Sequence, residues 1–432
     1  MGALLLMADA FYNAYPILYA DVTTYIANGF GLQTPFDRPI TYCLFLRLFS
    51  LNGLSLWTVI FAQSFILSCL IFRFSEMLFG KRLNKFIVLA LIAFLSFFTS
   101  LSWTASQPIS DVFTPILLLT TIILLIGKPG KKEAWLLYFI FLLSTTMHLS
   151  HISYNVVFLT AVLIVRIIRF FRFKEVVRLQ TIAILFGLTI LALSTMLSAM
   201  AKSRHVFFMG AMSEHGILKV FLDDNCETTN YQLCAYKDSL PKRAYEFVWD
   251  ADGPVNKMGG WKACEKEFNS IIFQTLTTPK YIGLHVQASL AATYEQLLKF
   301  KINDGNIPFP QGSLVYERMV TYFPRELAQF EQSKQNSNEL SFTKSLNNLY
   351  RIVVVLSIVG IIFSFFILKN RQRRNYLNLT TLIVLGIIIN AWGSATFSNA
   401  IDRFGAKMIW LLPLLAIYGL WFYLDFKKKL HA

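Results

Sequence analysis

The chain has 432 residues, of which 55% are hydrophobic and 15% charged, with 40 Phe and a formal net charge of +15. This composition, with a mean hydropathy of +0.51, excludes an ordinary soluble domain. Several uncharged runs are long enough to cross roughly 30 Å of hydrocarbon as helices. They predict an all-α polytopic membrane protein with about ten spans, at 1–19, 54–77, 86–103, 111–127, 134–150, 152–170, 179–201, 351–369, 377–396 and 406–425.

The first of these runs is the weakest, because Asp9 and Asn13 interrupt it. It has no basic region at its start and no clear small-residue cleavage site, so we do not expect a removable signal peptide.

Basic residues mark alternate connectors between the predicted spans. The connectors 104–110 and 397–405 hold one cation, Arg403, whereas many cations lie at 80–85, 128–133, 166–178, 369–374 and 427–429. The positive-inside rule places those basic connectors and both termini in the cytoplasm. The net charge is therefore a topology signal and does not indicate nucleic-acid binding.

This topology divides the chain into three parts. They are an N-terminal transmembrane bundle of about seven spans at 1–201, an extracytoplasmic region at 202–350, and about three C-terminal spans at 351–432. Residues 20–53 form the first external loop, in which 39–50 is too short to cross and is predicted to lie along the membrane surface. The apolar periodicity of 268–300 predicts two helices around Pro279.

Cysteine positions fit an oxidising compartment. Cys226 and Cys234 lie close together in the region predicted to be outside, which favours a disulfide between them. Cys264 follows, so the pairing is not fixed by sequence. Metal binding is the weaker interpretation, because no C-x-x-C or nearby His pair completes a tetrahedral set.

Ionisable residues gather at the outer ends of the predicted spans. A carboxylate to accept a proton, cations for phosphate and an apolar wall for a lipid tail are what a site for an anionic lipid-linked substrate needs. The candidates are Asp21, Asp37, Arg38, Asp111, His148, His151, Arg204, His205, Asp402, Arg403 and Lys407.

Each candidate also has an ordinary interpretation. Asp37 and Asp402 are typical of loop carboxylates, and Asp111 suits a helix N-cap. The histidines suit interfacial side chains bonded to backbone, and Asp402 and Arg403 suit pairing with each other or with lipid headgroups. Asp21 is the strongest functional candidate, since it follows the apolar run YPILYA, where an unused charge costs free energy.

The first external loop resembles that of the GT-C glycosyltransferases. These are integral membrane enzymes that move a sugar from a polyprenyl-phosphate carrier to an acceptor outside the cytoplasmic leaflet. The resemblance, closest to aminoarabinose and mannose transferases, rests on Asp21, Tyr25 one helical turn later, and DRPITY with Arg38. It extends loosely to Asp111, to Pro279 with Tyr281, and to DRFGAKMIWLLPLL.

The resemblance implies a site that faces the exterior of a membrane, for which we expect the bacterial inner membrane. Asp21 would be the general base, supported by Asp111. The other residues would bind substrate, with the donor phosphate on the cations; they are Tyr25, Arg38, His148, His151, Arg204, His205, Arg403 and Lys407. Partners would be a polyprenyl-phosphate-linked sugar, a lipid, glycan or protein acceptor, and membrane lipids, with no nucleic acid.

The sequence departs from the family pattern where many members carry an acidic pair, because Val22 follows Asp21. Whether a divalent cation takes part is therefore left undecided by the sequence. Two other classes also stay open. A polysaccharide polymerase or ligase would concentrate its essential residues in the large external region. A transporter or lipid flippase would show two related halves and polar groups near the bilayer midplane.

Overall fold

The computed structural model describes residues 1–80, 83–173 and 179–430. Part of the predicted basic connectors, residues 81–82 and 174–178, therefore lies outside the described residues. Every regular element in the described part of the chain is a helix, which confirms the all-α prediction.

The N-terminal half contains eleven α-helices. They are α1 (Gly2–Leu6), α2 (Ala8–Asn13), α3 (Val22–Gly31), α4 (Thr41–Phe49), α5 (Leu56–Phe79), α6 (Lys85–Phe98), α7 (Leu101–Ala105), α8 (Phe113–Ile126), α9 (Lys131–Thr146), α10 (Ser150–Phe173) and α11 (Leu179–Glu214).

The remaining eleven α-helices include three long ones near the carboxyl end of the chain. The eleven are α12 (Ile217–Asn225), α13 (Ala244–Trp249), α14 (Pro254–Lys257), α15 (Trp261–Thr277), α16 (Pro279–Leu298), α17 (Leu314–Tyr322), α18 (Leu327–Glu331), α19 (Thr343–Ile367), α20 (Asn370–Phe397), α21 (Asp402–Ile409) and α22 (Leu411–Leu430). The three long ones are α19, α20 and α22.

Within the described residues, six helical segments are long and apolar enough to cross a membrane, which indicates an integral membrane protein. They are Leu56–Phe79, Ser150–Phe171, Leu179–Glu214, Thr343–Ile367, Arg371–Phe397 and Asp402–Leu424. Each contains one of the predicted spans or most of it. Two further predicted spans coincide with shorter apolar helices, Lys85–Phe98 and Ser110–Ile126, and a third with α9.

The beginning of the chain differs from the prediction of one span over 1–19. Helices α1 and α2 are separated at Met7, and α2 ends where Ala14 adopts a left-handed backbone (φ 63°). Residues 16–19 then have no regular secondary structure. Pro16, which lacks an amide hydrogen, cannot continue the helical hydrogen bonding.

Helix α8 occupies the centre of the bundle. Its residues are buried on all sides, from Phe113 to Leu125. A helix that is apolar all round is stable only where other apolar elements surround it, and this one packs on α5, α9 and α20. Asp111 lies in the short 3-10 turn Ser110–Val112 that leads directly into this helix, so the position of that carboxylate is fixed by a fully buried helix.

Helix α11 continues through the predicted domain boundary at 201 to Glu214. Its last turns pack on α13 and α15 in a second apolar core that includes Val206, Phe247 and Phe268. Lys202 and Arg204 are exposed, and both residue types are good helix formers, so these charges do not end the helix.

Helices α15 and α16 confirm the two helices predicted around Pro279, which is the first residue of α16. A disulfide joins Cys226 to Cys234, with a Cα–Cα distance of 5.7 Å, and Cys264 is a buried free thiol. The segment 39–50, predicted to be too short to cross a membrane, contains the nine-residue helix α4.

Candidate functional site

Asp21 follows the irregular segment that connects α2 to α3. The amide of Ile17 donates to the carbonyl of Ser106 (3.0 Å), and the amide of Leu18 donates to the Gln335 side chain (2.9 Å). The segment is thus held between two distant parts of the chain. Asp21 begins α3 but does not cap it with its side chain, so its carboxylate is free for other partners.

Two arginines meet at the Asp21 carboxylate. Arg38 Nη1 lies 3.2 Å from Oδ1, and Arg403 Nη1 donates to Oδ2 at 2.9 Å. Burial alone would raise the pKa of Asp21, but the two guanidinium groups outweigh burial and hold the pKa well below its usual range. Asp21 is therefore ionised at neutral pH in this arrangement.

Arg38 also binds its neighbour Asp37 through two nitrogens, Nε at 2.9 Å and Nη2 at 2.6 Å from Oδ2. Asp37 is 4% exposed and its second oxygen has no hydrogen-bond partner. The expectation of an ordinary loop carboxylate was wrong, because α3 and α4 close over this loop and the carboxylate neutralises a buried guanidinium.

Asp111 binds the two cations of α21. Lys407 Nζ donates to Oδ1 at 2.9 Å, and Arg403 Nε lies 3.3 Å from Oδ2. Asp111 and Lys407 are 4% and 2% exposed. The side chain of Asp111 caps no helix, so the N-cap interpretation was wrong.

Arg403 connects the two acids that the sequence analysis proposed as catalytic. It contacts both Asp21 and Asp111, and its guanidinium lies 3.9 Å from the centre of the Tyr19 ring. Arg403 and Lys407 are four residues apart on α21 and so share one face of that helix. Gly405 lies between them, where a Cβ would overlap the Lys299 carbonyl oxygen.

These contacts form one continuous ion-pair cluster of six residues. In order of contact they are Asp37, Arg38, Asp21, Arg403, Asp111 and Lys407. Three negative and three positive charges cancel.

The cluster joins the first loop, the start of α8 and the start of α21. Burying six charges without mutual pairing would be prohibitively costly, so the neutral total explains how they lie together.

The two histidines of MHLSH have different environments. His151 is 1% exposed, and its ring nitrogens contact Thr114 Oγ1 at 2.9 Å and the Ser144 carbonyl at 2.6 Å. It fits the predicted alternative of a backbone-bonded histidine. His148 lies in the turn between α9 and α10, beside the cluster. Burial, reinforced by the charge of Lys407, lowers the pKa of His148 to about 4, although Asp111 opposes the shift.

Three other predicted residues lie apart from the ion pairs or at their edge. Tyr25 is buried; its hydroxyl is 2.9 Å from Ser110 Oγ and its ring lies under Arg38. In the described part of the chain, no hydrogen bond or ion pair joins Arg204 or His205 to the cluster. His205 is instead 3.0 Å from the Trp261 carbonyl in the second apolar core.

A small polar cavity opens beside the cluster. Its walls include Trp103, Gln107, Asn303, Asp304 and Arg403. Gln107 is 3% exposed and its side-chain oxygen Oε1 has no hydrogen-bond partner. The cavity volume is about 10 Å³, which is room for roughly one water molecule.

Sequence reasoning missed several residues around the charges. Tyr19 under Arg403 and Gln107 in the cavity have polar groups but no charge, so a search for ionisable residues passes over them. Asp304 accepts from the Arg403 amide at 3.4 Å. The signal available for Asp304 was its position in the turn sequence NDGN.

Among the described residues, no group of three or more His, Cys, Asp or Glu is placed to hold a metal ion. No protein-family model, curated protein or solved structure matches this chain. The arrangement itself offers two carboxylates, Asp21 and Asp111, each paired with two cations, in a membrane protein, with a polar cavity at their side.

Proposed function

We propose that this protein is a glycosyltransferase of the GT-C kind, which moves a sugar from a polyprenyl-phosphate carrier to an acceptor on the extracytoplasmic side of a membrane. One observation carries the proposal: Asp21 and Asp111 converge on Arg403 from segments that are distant in sequence. The acids and cations that such a reaction needs therefore meet at one place in a membrane protein.

The reaction assigns a role to each type of charge. An acceptor hydroxyl or amine attacks the anomeric carbon of the donor sugar, and Asp21 takes the proton that the acceptor loses. The bond from that carbon to the phosphate oxygen breaks, so the leaving phosphate gains negative charge. Arg403 and Lys407 stabilise this growing charge electrostatically.

The ion pairs also suggest an order of events. While Asp21 is bound by Arg38 and Arg403, its lone pairs are occupied and its basicity is low. A donor phosphate that binds Arg403 competes with Asp21 for the same guanidinium. Donor binding would then release the carboxylate for the acceptor. Because the cavity in this state is so small, binding also requires the surrounding segments to separate.

We propose the following membrane arrangement. Helices α6 with α7, α8 and α9 add three crossings to the six long spans, as the alternating basic connectors suggest. The cluster then lies at the extracytoplasmic end of the bundle, in a bacterial inner membrane, with the carboxyl terminus in the cytoplasm. The region 202–350 covers the site and shapes the acceptor pocket, with a lipid, glycan or protein as acceptor.

The test is a transfer assay with purified protein in lipid vesicles, a panel of radiolabelled polyprenyl-phosphate sugars and a panel of lipid and glycan acceptors with free hydroxyl or amine groups. Release of free polyprenyl phosphate reports cleavage of the donor bond. We expect release by the wild-type protein and loss of at least about 100-fold in Arg403→Gln, since removing one stabilising donor typically costs that much. The matched control is Arg243→Gln, an exposed arginine of the region 202–350.

The same assay separates the alternatives. A polymerase or ligase would lose activity with arginines of 202–350 such as Arg243 and keep it with Arg403→Gln. A flippase would move the labelled lipid between leaflets and release no polyprenyl phosphate. Either pattern would overturn the proposed function.

A further inference from the structure

One face of α16 carries a row of large apolar side chains without protein contacts over most of their surface. The row, which we call the α16 stripe, repeats every four residues and therefore lies on one side of the helix. It consists of Ile282, Val286, Leu290, Tyr294 and Leu298. Their exposed fractions range from 40% at Ile282 to 69% at Leu290.

The opposite face of α16 is also apolar, but it is packed. Tyr281 and Ala292 are buried, and Leu284 and Ala288 pack on the second apolar core. A helix that is apolar on both faces is unfavourable in water. The stripe thus needs an apolar environment of its own, in addition to the protein on its other side.

The neighbour of α16 is the membrane-spanning helix α20. Ser289 Oγ lies 2.8 Å from Thr396 Oγ1, and Trp392 Nε1 donates to Ser289 Oγ at 3.0 Å. Ala292 packs on Ala395 in a cluster of small residues. Small side chains let two helices approach closely, as is common between helices in membranes.

The surface of α20 beside this contact is apolar as well. Ile388 and Phe397 are each 41% exposed on this spanning helix, where the surroundings of the chain are lipid. The α16 stripe therefore lies on a helix that packs directly against a membrane-spanning helix with exposed apolar side chains, which indicates acyl chains as its covering.

The charged residues near the stripe are arranged at its ends. Lys280 precedes it, and Lys299 follows it, with Glu295 paired to Lys299 at 2.6 Å. Lysine side chains can extend from a membrane-embedded helix toward the polar headgroups. The five side chains of the α16 stripe are uncharged, and the acidic residue that lies between Ile282 and Leu298, Glu295, is the ion-pair partner of Lys299.

From these observations we propose that α16 is immersed in the bilayer, with acyl chains covering the α16 stripe. The region 202–350 is then anchored in lipid and is not a wholly aqueous domain. The inference concerns where this helix lies, and it holds whether or not the protein transfers sugars.

The test uses nitroxide labels in the full-length protein, reconstituted in phosphatidylcholine bilayers. Cys69→Ser provides the background, because Cys69 is the exposed cysteine in the described chain while Cys43 and Cys264 are buried. A label at Leu290→Cys is compared with two references. Ile190→Cys lies on the spanning helix α11 and is 66% exposed, and Glu227→Cys lies on the exposed loop after α12.

Relaxation by oxygen, which concentrates in lipid, is measured against relaxation by a water-soluble nickel chelate. We expect the Leu290 label to match the Ile190 label, with severalfold more oxygen than nickel relaxation, and the Glu227 label to show the reverse. A Leu290 label that behaves like the Glu227 label would overturn the proposal. So would spin–spin broadening at Leu290 that grows with the protein-to-lipid ratio, since that result means a second copy covers the stripe.

Discussion

At the level of single residues, the charged members of the cluster can be predicted from the sequence, but the pairing between them cannot. The sequence identified Asp21, Asp111, Arg403 and Lys407 as candidates because charges at span ends are costly unless used. It contained no information on their pairing. Arg403 and Asp21 are 382 residues apart, and such contacts depend on how the helices pack, which one sequence does not specify.

We predict that Asp21→Asn abolishes most catalysis and leaves the protein folded. Asparagine keeps the volume and some hydrogen bonding but cannot take a proton, and loss of a general base typically lowers the rate by about 10²–10⁴-fold. The Asp21 side chain is 27% exposed, so solvent reduces the cost of the unbalanced arginines. The measurement is release of polyprenyl phosphate, alongside the melting temperature.

The control for this prediction is Asp223→Asn, which removes an exposed carboxylate paired with Lys219 and should leave the rate unchanged. Near-normal turnover by Asp21→Asn would mean that the carboxylate is structural. Asp37→Asn is a useful third variant, since Asp37 is buried yet contacts Arg38 alone among the cations of the cluster.

A second residue-scale prediction concerns pH and His148. Its pKa is about 4 in the folded protein and about 6.5 in an unfolded chain. The unfolded state therefore binds more protons between these values, and the stability from neutral His148 is present above pH 6.5 and lost as pH falls toward 4. A single group changes the free energy of unfolding by at most ~1.4 kcal/mol per pH unit between these two pKa values.

We expect His148→Gln to weaken the fall in melting temperature between pH 6.5 and 4, compared with wild type. Other carboxyl groups titrate in both proteins, so the difference between the two curves isolates His148. Parallel curves would show that this histidine is already protonated in the fold or does not titrate in this range.

At the level of secondary-structure elements, helices were predicted best where an apolar periodic segment is bounded by a residue that starts or ends a helix. Pro279 divides α15 from α16 as predicted, because proline is favoured in the first turn of a helix and disfavoured inside one. The early end of α2 was not predicted. Ala14 adopts a left-handed conformation that alanine rarely takes, and its amide donates to the Phe11 carbonyl, so the chain leaves the helix just before Pro16.

The disulfide belongs to this scale, because it closes the short loop between α12 and the segment at Gln232–Tyr236. Cys226→Ser with Cys234→Ser should lower stability by about 2–3 kcal/mol in the loop-entropy model. The measurement is thermal unfolding of protein purified without reductant. Cys264→Ser, at a buried free thiol, is the comparison. Two titratable thiols at 226 and 234 in the untreated wild type would contradict the bond.

At the scale of the whole molecule, the all-helical class and the apolar spans followed from hydropathy alone, since a bilayer imposes length and polarity on every crossing. The continuation of α11 beyond residue 201 could not be predicted from hydropathy. Its last turns are stabilised by the second apolar core, whose members come from several separate helices. No local sequence pattern predicts contacts between such distant residues.

The topology itself gives the last prediction. A cysteine at Gly130→Cys should be shielded from an impermeant thiol reagent added to intact cells, whereas one at Gln311→Cys should react, both in the Cys69→Ser background. Both positions are exposed on the protein, so a difference in labelling reports the membrane side. The reverse pattern would place the cluster in the cytoplasm and remove the basis of the proposed function.

Gly405 is a single residue that sets the position of a whole helix. With no space for a Cβ against the backbone at Lys299, it sets how closely α21 approaches the end of α16. Arg403 and Lys407 move with the same helix backbone, so this one contact fixes the distance of two positive charges from both acids. A methyl group added at Gly405 would therefore change the electrostatic potential at Asp21 and Asp111 without altering a single ionisable residue.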